Sequence, residues 1–455
     1  MKMSKRPFSP KLLTIAIRNT LLGASSIMAL SAPTITFSGD IDDLRHQIEL
    51  LMNKVEQLET QQKNNSKQTE ELKSRAIVQG ASPGSFTTSN GKTSFEVSGY
   101  LKLDAIIDLD ADVGDTFVAS SIPTDGSVVS TKNPHTRLHA RQSRLRFKTN
   151  SELDDGKNLK THLEGDFFGG GGNQSFSGST SFRIRHAYAS IDTAYGNFLA
   201  GQYWTNFMDF VAYPGTVDFF GPAGKSFKRQ GQLRWTMHNG MSFSLENPET
   251  DGVGAAGRLG ESRGGIGQDE MPDTVIAWRG GNGPSFYELA GVWRRLGING
   301  VAPAGSDLVG TRIDVSKSGW GINLAGGWDI GKANINASTT FGDGIGSYII
   351  NGFSNDLFVN TNGSVETVES MSVNAAVKIK WNKNTNSTFA YGHFENDIPA
   401  RSNGIDSLST YHANFMWGPW PSTELGIELM HGQLDNADGS SGDATRLQFS
   451  VQRNI

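Results

Sequence analysis

The chain predicts an all-β fold: a sixteen-stranded antiparallel transmembrane β-barrel preceded by a short N-terminal coiled-coil helix. Three observations predict it. From residue 94 onward, apolar and polar residues alternate in segments of roughly ten residues. The connections between those segments are alternately short and long. A secretory leader opens the chain. Composition agrees: glycine supplies 54 of 455 residues and cysteine none, which removes disulfides, thiolate metal sites and Cys nucleophiles together. Hydrophobic residues make up 36 %, yet no apolar run reaches the roughly 20 residues of a spanning helix.

Residues 1–38 read as the leader. Lys2, Lys5, Arg6, Lys11 and Arg18 precede the first acid, Asp40, and an apolar, small-residue stretch runs from Leu12 to Ala32. A basic start, a short apolar centre and small residues near the cut (Thr36 and Ser38 before Gly39) are the layout of a secretory signal. Without those five cations the chain holds 36 basic residues against 46 acidic ones, a net charge near −10. That balance argues against a nucleic-acid partner.

Residues 40–75 form the coiled-coil segment. Ile41, Leu44, Ile48, Leu51, Val55 and Leu58 are spaced 3, 4, 3, 4, 3, a heptad seam with β-branched residues at one core position and leucine at the other. The seam fades through Gln62, Asn65 and Thr69, so a helix of about 18 residues is expected, too short to be stable alone. Peptide rules favour a dimer for this pattern, and a larger attached body can override them. Residues 76–93, rich in Ser, Gly and Thr, read as a linker, and 94–455 as the barrel.

Strand alternation is clearest at Met371, Val373, Ala375, Val377 and Ile379, and at Trp320, Ile322, Leu324, Gly326 and Trp328. A soluble sandwich alternates too. Trp320, Trp328, Trp381, Trp417 and Trp420 at strand ends decide for a barrel with interfacial girdles. Short connections fall at 154–158, 193–196, 238–240, 280–284, 329–332, 382–385 and 418–422. Long ones fall at 108–137, 169–180, 205–227, 247–272, 296–319, 342–369, 396–406 and 432–443. Such alternation is required when every second turn faces the periplasm. A further strand-like segment at 309–316 would reverse the sidedness of all later loops, so it is assigned to a sheet rim above the membrane.

The chain ends on Leu447, Phe449, Val451 and Ile455 on one strand face. This ending resembles the terminal recognition strand of outer-membrane porins, with Ile455 where phenylalanine is usual. The N-terminal heptad segment, Ser-Gly-Tyr-Leu-Lys-Leu-Asp (Ser98–Asp104), Arg-Gln-Ser-Arg-Leu-Arg-Phe (Arg141–Phe147) and Thr-Val-Asp-Phe-Phe-Gly-Pro (Thr216–Pro222) together resemble the DcaP-like outer-membrane porins. The resemblance spans nearly the whole chain. It implies a homotrimeric channel in a Gram-negative outer membrane, with dicarboxylates and related organic anions as cargo and membrane lipid and lipopolysaccharide as surroundings.

The residues themselves bear on anion preference. Arg144, Arg146 and Lys148 alternate with Leu145 and Phe147, Arg183 and Arg185 with Phe182 and Ile184, and Arg234 with Leu233 and Trp235. Alternation aims these six cations into the lumen, where they attract anions. Asp218, Lys225, Lys228 and Arg229 belong to the third long connection, expected to fold inward as the constriction. The competing arrangement pairs the arginines with Glu164, Asp166, Glu288, Glu424 and Glu428 in a non-selective pore.

Other motifs carry less. Gly252, Gly254 and Gly257 match GxGxxG without the strand-to-helix context a dinucleotide site needs, and read as loop glycines. Asp108, Asp110, Asp112 and Asp115 lack the EF-hand glycine and glutamate and read as a solvated loop mouth. No GxSxG elbow is present. The chain therefore reads as a non-enzymatic porin without cofactor or metal, passing small anionic solutes. The alternatives are a non-selective general porin or an envelope-tethering, adhesive outer-membrane protein.

Overall fold

The computed structural model describes residues 41–455 except 76, 80–83, 89, 128–133, 171–177, 179, 209–212, 255–256, 262–266, 284, 302–307, 351–354, 361 and 400–403. Residues 1–38, read from sequence as a leader, lie outside the described residues. Two compact units are present, Met1–Lys73 and Ser74–Ile455.

In the first unit, helix α1 spans Ile41–Arg75, 35 residues. It is nearly twice the length expected from the apolar seam, because no glycine or proline stops it after the seam fades. Leu44, Ile48, Leu51, Val55 and Leu58 are each more than half exposed on the single chain. The segment read as a linker contains a hairpin of Ile77–Gln79 and Ser85–Thr88.

Sixteen staves close the second unit. They are β1 (Thr93–Asp108), β2 (His135–His139 and Arg144–Glu152), β3 (Asn158–Gly169), β4 (Ser181–Thr193), β5 (Gly196–Trp204), β6 (Arg229–Thr236), β7 (Met241–Glu246) and β8 (Asp273–Asn282). Then follow β9 (Ser285–Val301), β10 (Arg312–Ile330), β11 (Ala333–Asp343), β12 (Glu369–Lys380), β13 (Thr385–Asp397), β14 (Ile405–Trp420), β15 (Thr423–Asn436) and β16 (Ser441–Asn454). Each pairs antiparallel with the next. β16 returns to β1 from Asn454↔Tyr100 to Arg446↔Asp108, which removes both sheet edges. The lower end of β1 outruns β16, and there Ser85–Thr87 pairs with Ser94–Glu96 instead.

The expected connections hold with one difference. As expected, the 309–316 segment adds no crossing: Arg312–Ser316 extends β10 as a sheet rim, paired with Gly297–Val301 of β9. Staves β15 and β16 likewise run on to Asn436 and from Ser441, leaving only 437–440 of the long connection expected at 432–443. The GxGxxG glycines are not loop residues either. They lie in a hairpin, Asp251–Gly254 with Gly257–Glu261, part of a small four-stranded sheet completed by Leu357–Val359 and Val365–Thr367.

Side chains obey the two-residue period. Leu101, Leu145, Phe147, Leu163, Trp320, Leu324, Trp328 and Phe449 are exposed on the outer wall. Inside, the long connections between β1 and β2, β5 and β6, and β11 and β12 (loops 1, 3 and 6) fold into the lumen. Val113, Phe117 and Ile122 of loop 1, Phe207 and Ala223 of loop 3, and Ile345, Tyr348 and Ile349 of loop 6 form one buried apolar cluster with inward Val275, Val292, Phe394 and Met430. Loops 3 and 6 are joined by main-chain bonds: Gly224 N–H to the Ile350 carbonyl (3.0 Å), Ile350 N–H to Lys225 (2.8 Å) and Phe227 N–H to Tyr348 (2.8 Å). The lumen is thus filled on the β8–β9 and β13–β16 side and polar on the β2–β6 side.

Candidate pore constriction

The polar wall is built by alternation and one irregularity. On β2, Arg144, Arg146 and Lys148 face inward opposite exposed Leu145 and Phe147. On β3, His162, Glu164 and Asp166 do so. Between β3 and β4 the register shifts, from Glu164↔His186 to Gly165↔Ile184. This bulge re-aims the strand, so that both Arg185 and His186 are buried on the inner side, at 3 % and 4 % exposure.

Two carboxylates organise the arginines. Glu164 accepts from Arg146 Nε and Arg185 Nε, both at 2.8 Å, with Arg144 Nη1 at 3.6 Å. Asp166 accepts from Arg183 at 3.0 and 2.8 Å and from Arg185 Nη1 at 3.0 Å. Four guanidiniums share two carboxylates, which leaves two positive charges uncompensated within the group. Their access differs: the side chains of Arg146 and Arg183 are 28 % and 31 % exposed, that of Arg185 only 4 %. Arg146 and Arg183 therefore present charge to the lumen, and Arg185 braces the carboxylates from behind.

Aromatic rings frame the group. Arg183 lies over Phe168 (5.6 Å) and Phe219 (5.5 Å), Arg185 over Trp204 (5.8 Å) and Phe219 (5.2 Å), and Arg144 over Tyr100 (5.1 Å). Arg229 sits over Trp204 at 5.0 Å and Phe227 at 5.7 Å. Such stacking favours guanidinium over ammonium. Phe219 comes from loop 3, so the loop closes the space in front of the arginine wall. Lys148 is apart, paired with Glu96 at 3.2 Å. Arg234 is apart as well, over Tyr203 at 5.6 Å and donating to Gln232 and to the Trp204 carbonyl.

The other loop 3 residues singled out from sequence lie within its packed body. The Asp218 carboxylate accepts the N–H groups of Phe117 (2.9 Å), Phe220 (2.8 Å) and Gly221 (3.2 Å). Lys225 is 3 % exposed. Lys228 Nζ is 3.7 Å from Glu249 and 4.8 Å from the Tyr348 ring centre, and burial, with Arg294 nearby, pulls its pKa below the ordinary lysine value. Of the acids set against the arginines, Glu164 and Asp166 are their partners. Glu288 instead takes Arg279 (2.7 Å), and Glu428 takes His412 (2.8 Å).

Acids read as a solvated loop mouth are instead engaged by cations, and Asp108, at the end of β1, is buried with 1 % exposure. Asp108 binds Arg446 at 2.6 and 3.0 Å, Asp112 binds Arg137 at 2.5 Å, and Asp115 binds Arg141. Against the penalty of burial, the Arg137 and Gly114 hydrogen bonds hold the Asp112 carboxyl below its usual range. Among the described residues no group of three or more His, Cys, Asp or Glu is arranged to hold a metal ion. Sequence reasoning missed His162, His186, Tyr203, Trp204 and Phe219. Their aromatic character was visible; the bulge and the loop that gather them were not.

A closed barrel of sixteen staves, apolar outside and charged inside, with a loop folded across its lumen, defines a porin of the Gram-negative outer membrane: a channel and not an enzyme. Within that class, the family model of the DcaP outer membrane proteins matches residues 27–248 of the chain. Among solved structures, the outer membrane channel DcaP of Acinetobacter baumannii superposes with a TM-score of 0.66 at 21 % identity, covering 80 % of this chain and 98 % of that one. An anion-selective porin from Comamonas acidovorans gives 0.51 at 13 %, covering 80 % and 100 %. OmpF of Salmonella typhi, in complex with daunomycin, gives 0.50 at 8 %, covering 80 % and 99 %. At these identities the likeness establishes the fold. A comparison with curated proteins finds no match.

Proposed function

We propose that the channel passes small hydrophilic solutes by diffusion with a preference for anions, dicarboxylates and related organic anions foremost. One observation carries this reading: Arg144, Arg146, Arg183 and Arg185 outnumber Glu164 and Asp166 at the wall that loop 3 narrows. The excess charge raises the local concentration of anions. Arg146 and Arg183, part exposed and fork-shaped, can each take one carboxylate in bidentate geometry, which favours a solute with two. Release stays fast because Glu164 and Asp166 already hold part of each guanidinium's hydrogen-bonding capacity, so binding is weak.

The same pairing supports a second reading, a general pore with a transverse field and no net preference. A planar bilayer with a salt gradient separates the two. Anion preference drives the reversal potential towards the chloride equilibrium value; a reversal near zero favours the general pore, and one of cation sign refutes the proposal. As for assembly, we propose a homotrimer in contact with lipid and lipopolysaccharide, with α1 pairing through its exposed seam to copies of itself.

A further inference from the structure

We infer that Lys102 and Glu428 form an electrostatic clamp on a single residue of loop 3, Val217, and that this clamp sets the aperture of the constriction. Lys102 Nζ donates to the Val217 carbonyl at 2.7 Å, and the Val217 N–H donates to Glu428 Oε2. Both main-chain polar groups of one loop residue are therefore held by ions, from β1 and β15. Each ion has its own partners. Lys102 lies 3.1 Å from Asp104 and 2.7 Å from Gln142 Oε1; Glu428 lies 2.8 Å from His412 Nδ1. Lys102 is 5 % exposed and Glu428 0 %.

Neither ion is needed to close the barrel. The main-chain pairing of β15 with β16 and of β16 with β1 is continuous and does not depend on these two side chains. What they do hold is the loop. Val217 is two residues from Phe219, a reach of about 7 Å, and Phe219 is the ring over Arg183 and Arg185. The intervening Asp218 ties down Phe117 and the turn to Gly221, so little slack lies between clamp and ring. Asn414 Nδ2 adds a bond to the Gly215 carbonyl at 2.8 Å, on the other side of the clamp. Charge-assisted hydrogen bonds are the stronger kind, which suits a loop that must stay in place beside flowing solvent. The inference rests on the porin reading but not on the sign of ion preference.

The test records single channels of Lys102→Met, Glu428→Gln and Lys102→Arg in planar bilayers, with barrel folding checked by heat-modifiable mobility on gels. Lys102→Met and Glu428→Gln should raise conductance and make open-channel flicker about tenfold or more frequent, as loss of a charge-assisted hydrogen bond predicts. Lys102→Arg, which keeps a donor, should restore the quiet level. Folded Lys102→Met and Glu428→Gln channels with wild-type conductance and noise would overturn the clamp, as would a noisy Lys102→Arg channel equal to Lys102→Met. Glu428→Gln retains an acceptor at that position, so it can be read even if Lys102→Met fails to fold. A cation-preferring wild-type channel would end the anion reading and leave these readouts unaffected.

Discussion

At the residue scale, the four arginines of the wall have two jobs, separated by exposure. Arg146 and Arg183 are the accessible ones, so Arg146→Gln with Arg183→Gln should move the reversal potential towards zero with folding retained. Unchanged selectivity would place the filter elsewhere. Arg185 is different, since it bonds both Glu164 and Asp166 from a buried position. Arg185→Gln takes one donor from each of two inner carboxylates that Arg146 and Arg183 still hold, so urea unfolding of the refolded barrel should show a loss smaller than the about 3–5 kcal/mol of a fully broken buried pair. Screening provides a check without mutation. The Debye length shrinks from about 10 Å at 0.1 M salt to about 3 Å at 1 M, so anion preference measured at equal gradient ratios should fall between those strengths. A preference indifferent to salt would argue for contact recognition alone. Glycine has a residue-scale part as well. Gly224 of loop 3 has φ +80° and its missing Cβ would meet the His393 carbonyl, while that of Gly392 would meet Ala223. The two let loop and wall approach to backbone contact.

At the scale of elements, what was legible in the sequence is what obeys a local period. Alternation and loop lengths defined sixteen staves, because a strand crossing has fixed length and must return. The inward parity of Arg144 and Arg146 followed in the same way. Three things were hidden. The β3–β4 bulge that turns both Arg185 and His186 inward has no residue signature in Arg-His. The partner and extent of the rim at 309–316, which pairs with β9 as far as Val301↔Arg312, depend on two strands together and not on either alone. The packing of loops 1, 3 and 6 joins residues more than a hundred positions apart, such as Phe117 and Asp218. Helix α1 is a fourth case: its seam was legible and its length was not, since the second half is helical without an apolar stripe. Its exposed leucines carry a prediction of their own. A peptide of residues 41–75 should gain helicity as its concentration rises, followed by circular dichroism, if the seam pairs copies. Deleting 41–58 should leave single-channel conductance nearly unchanged. A concentration-independent spectrum would reassign the seam to another partner.

For the whole molecule, the outer wall is unequal around its circumference. Exposed tryptophans sit on staves β8–β14 or in their turns: Trp278, Trp293, Trp320, Trp328, Trp381, Trp417 and Trp420. Their amphipathic rings belong at the lipid–water boundary. Among the described residues, the outward positions of β16 and of β1 through β4 have neither Trp nor Tyr. They carry Leu101, Leu103, Leu138, Leu145, Phe147, Leu163, Phe182, Ile184, Phe449 and Val451 instead, all exposed on the single chain. A face that met lipid at both boundaries would need the anchors that the rest of the wall has. A face that meets protein needs only apolar bulk. The proposed trimer therefore uses the β16–β4 sector, which also brings the arginine wall of β2–β4 close to the subunit contacts. Two substitutions of equal chemistry separate the cases. Leu145→Arg, on β2, should dissociate the trimer to monomers on native gels and in cross-linking. Leu324→Arg, on β10, should leave the trimer intact and lower barrel stability by about 2–4 kcal/mol, the cost of an arginine on a lipid face near the midplane. Equal effects at both positions would mean that lipid surrounds the barrel on all sides and that the missing tryptophans have another cause.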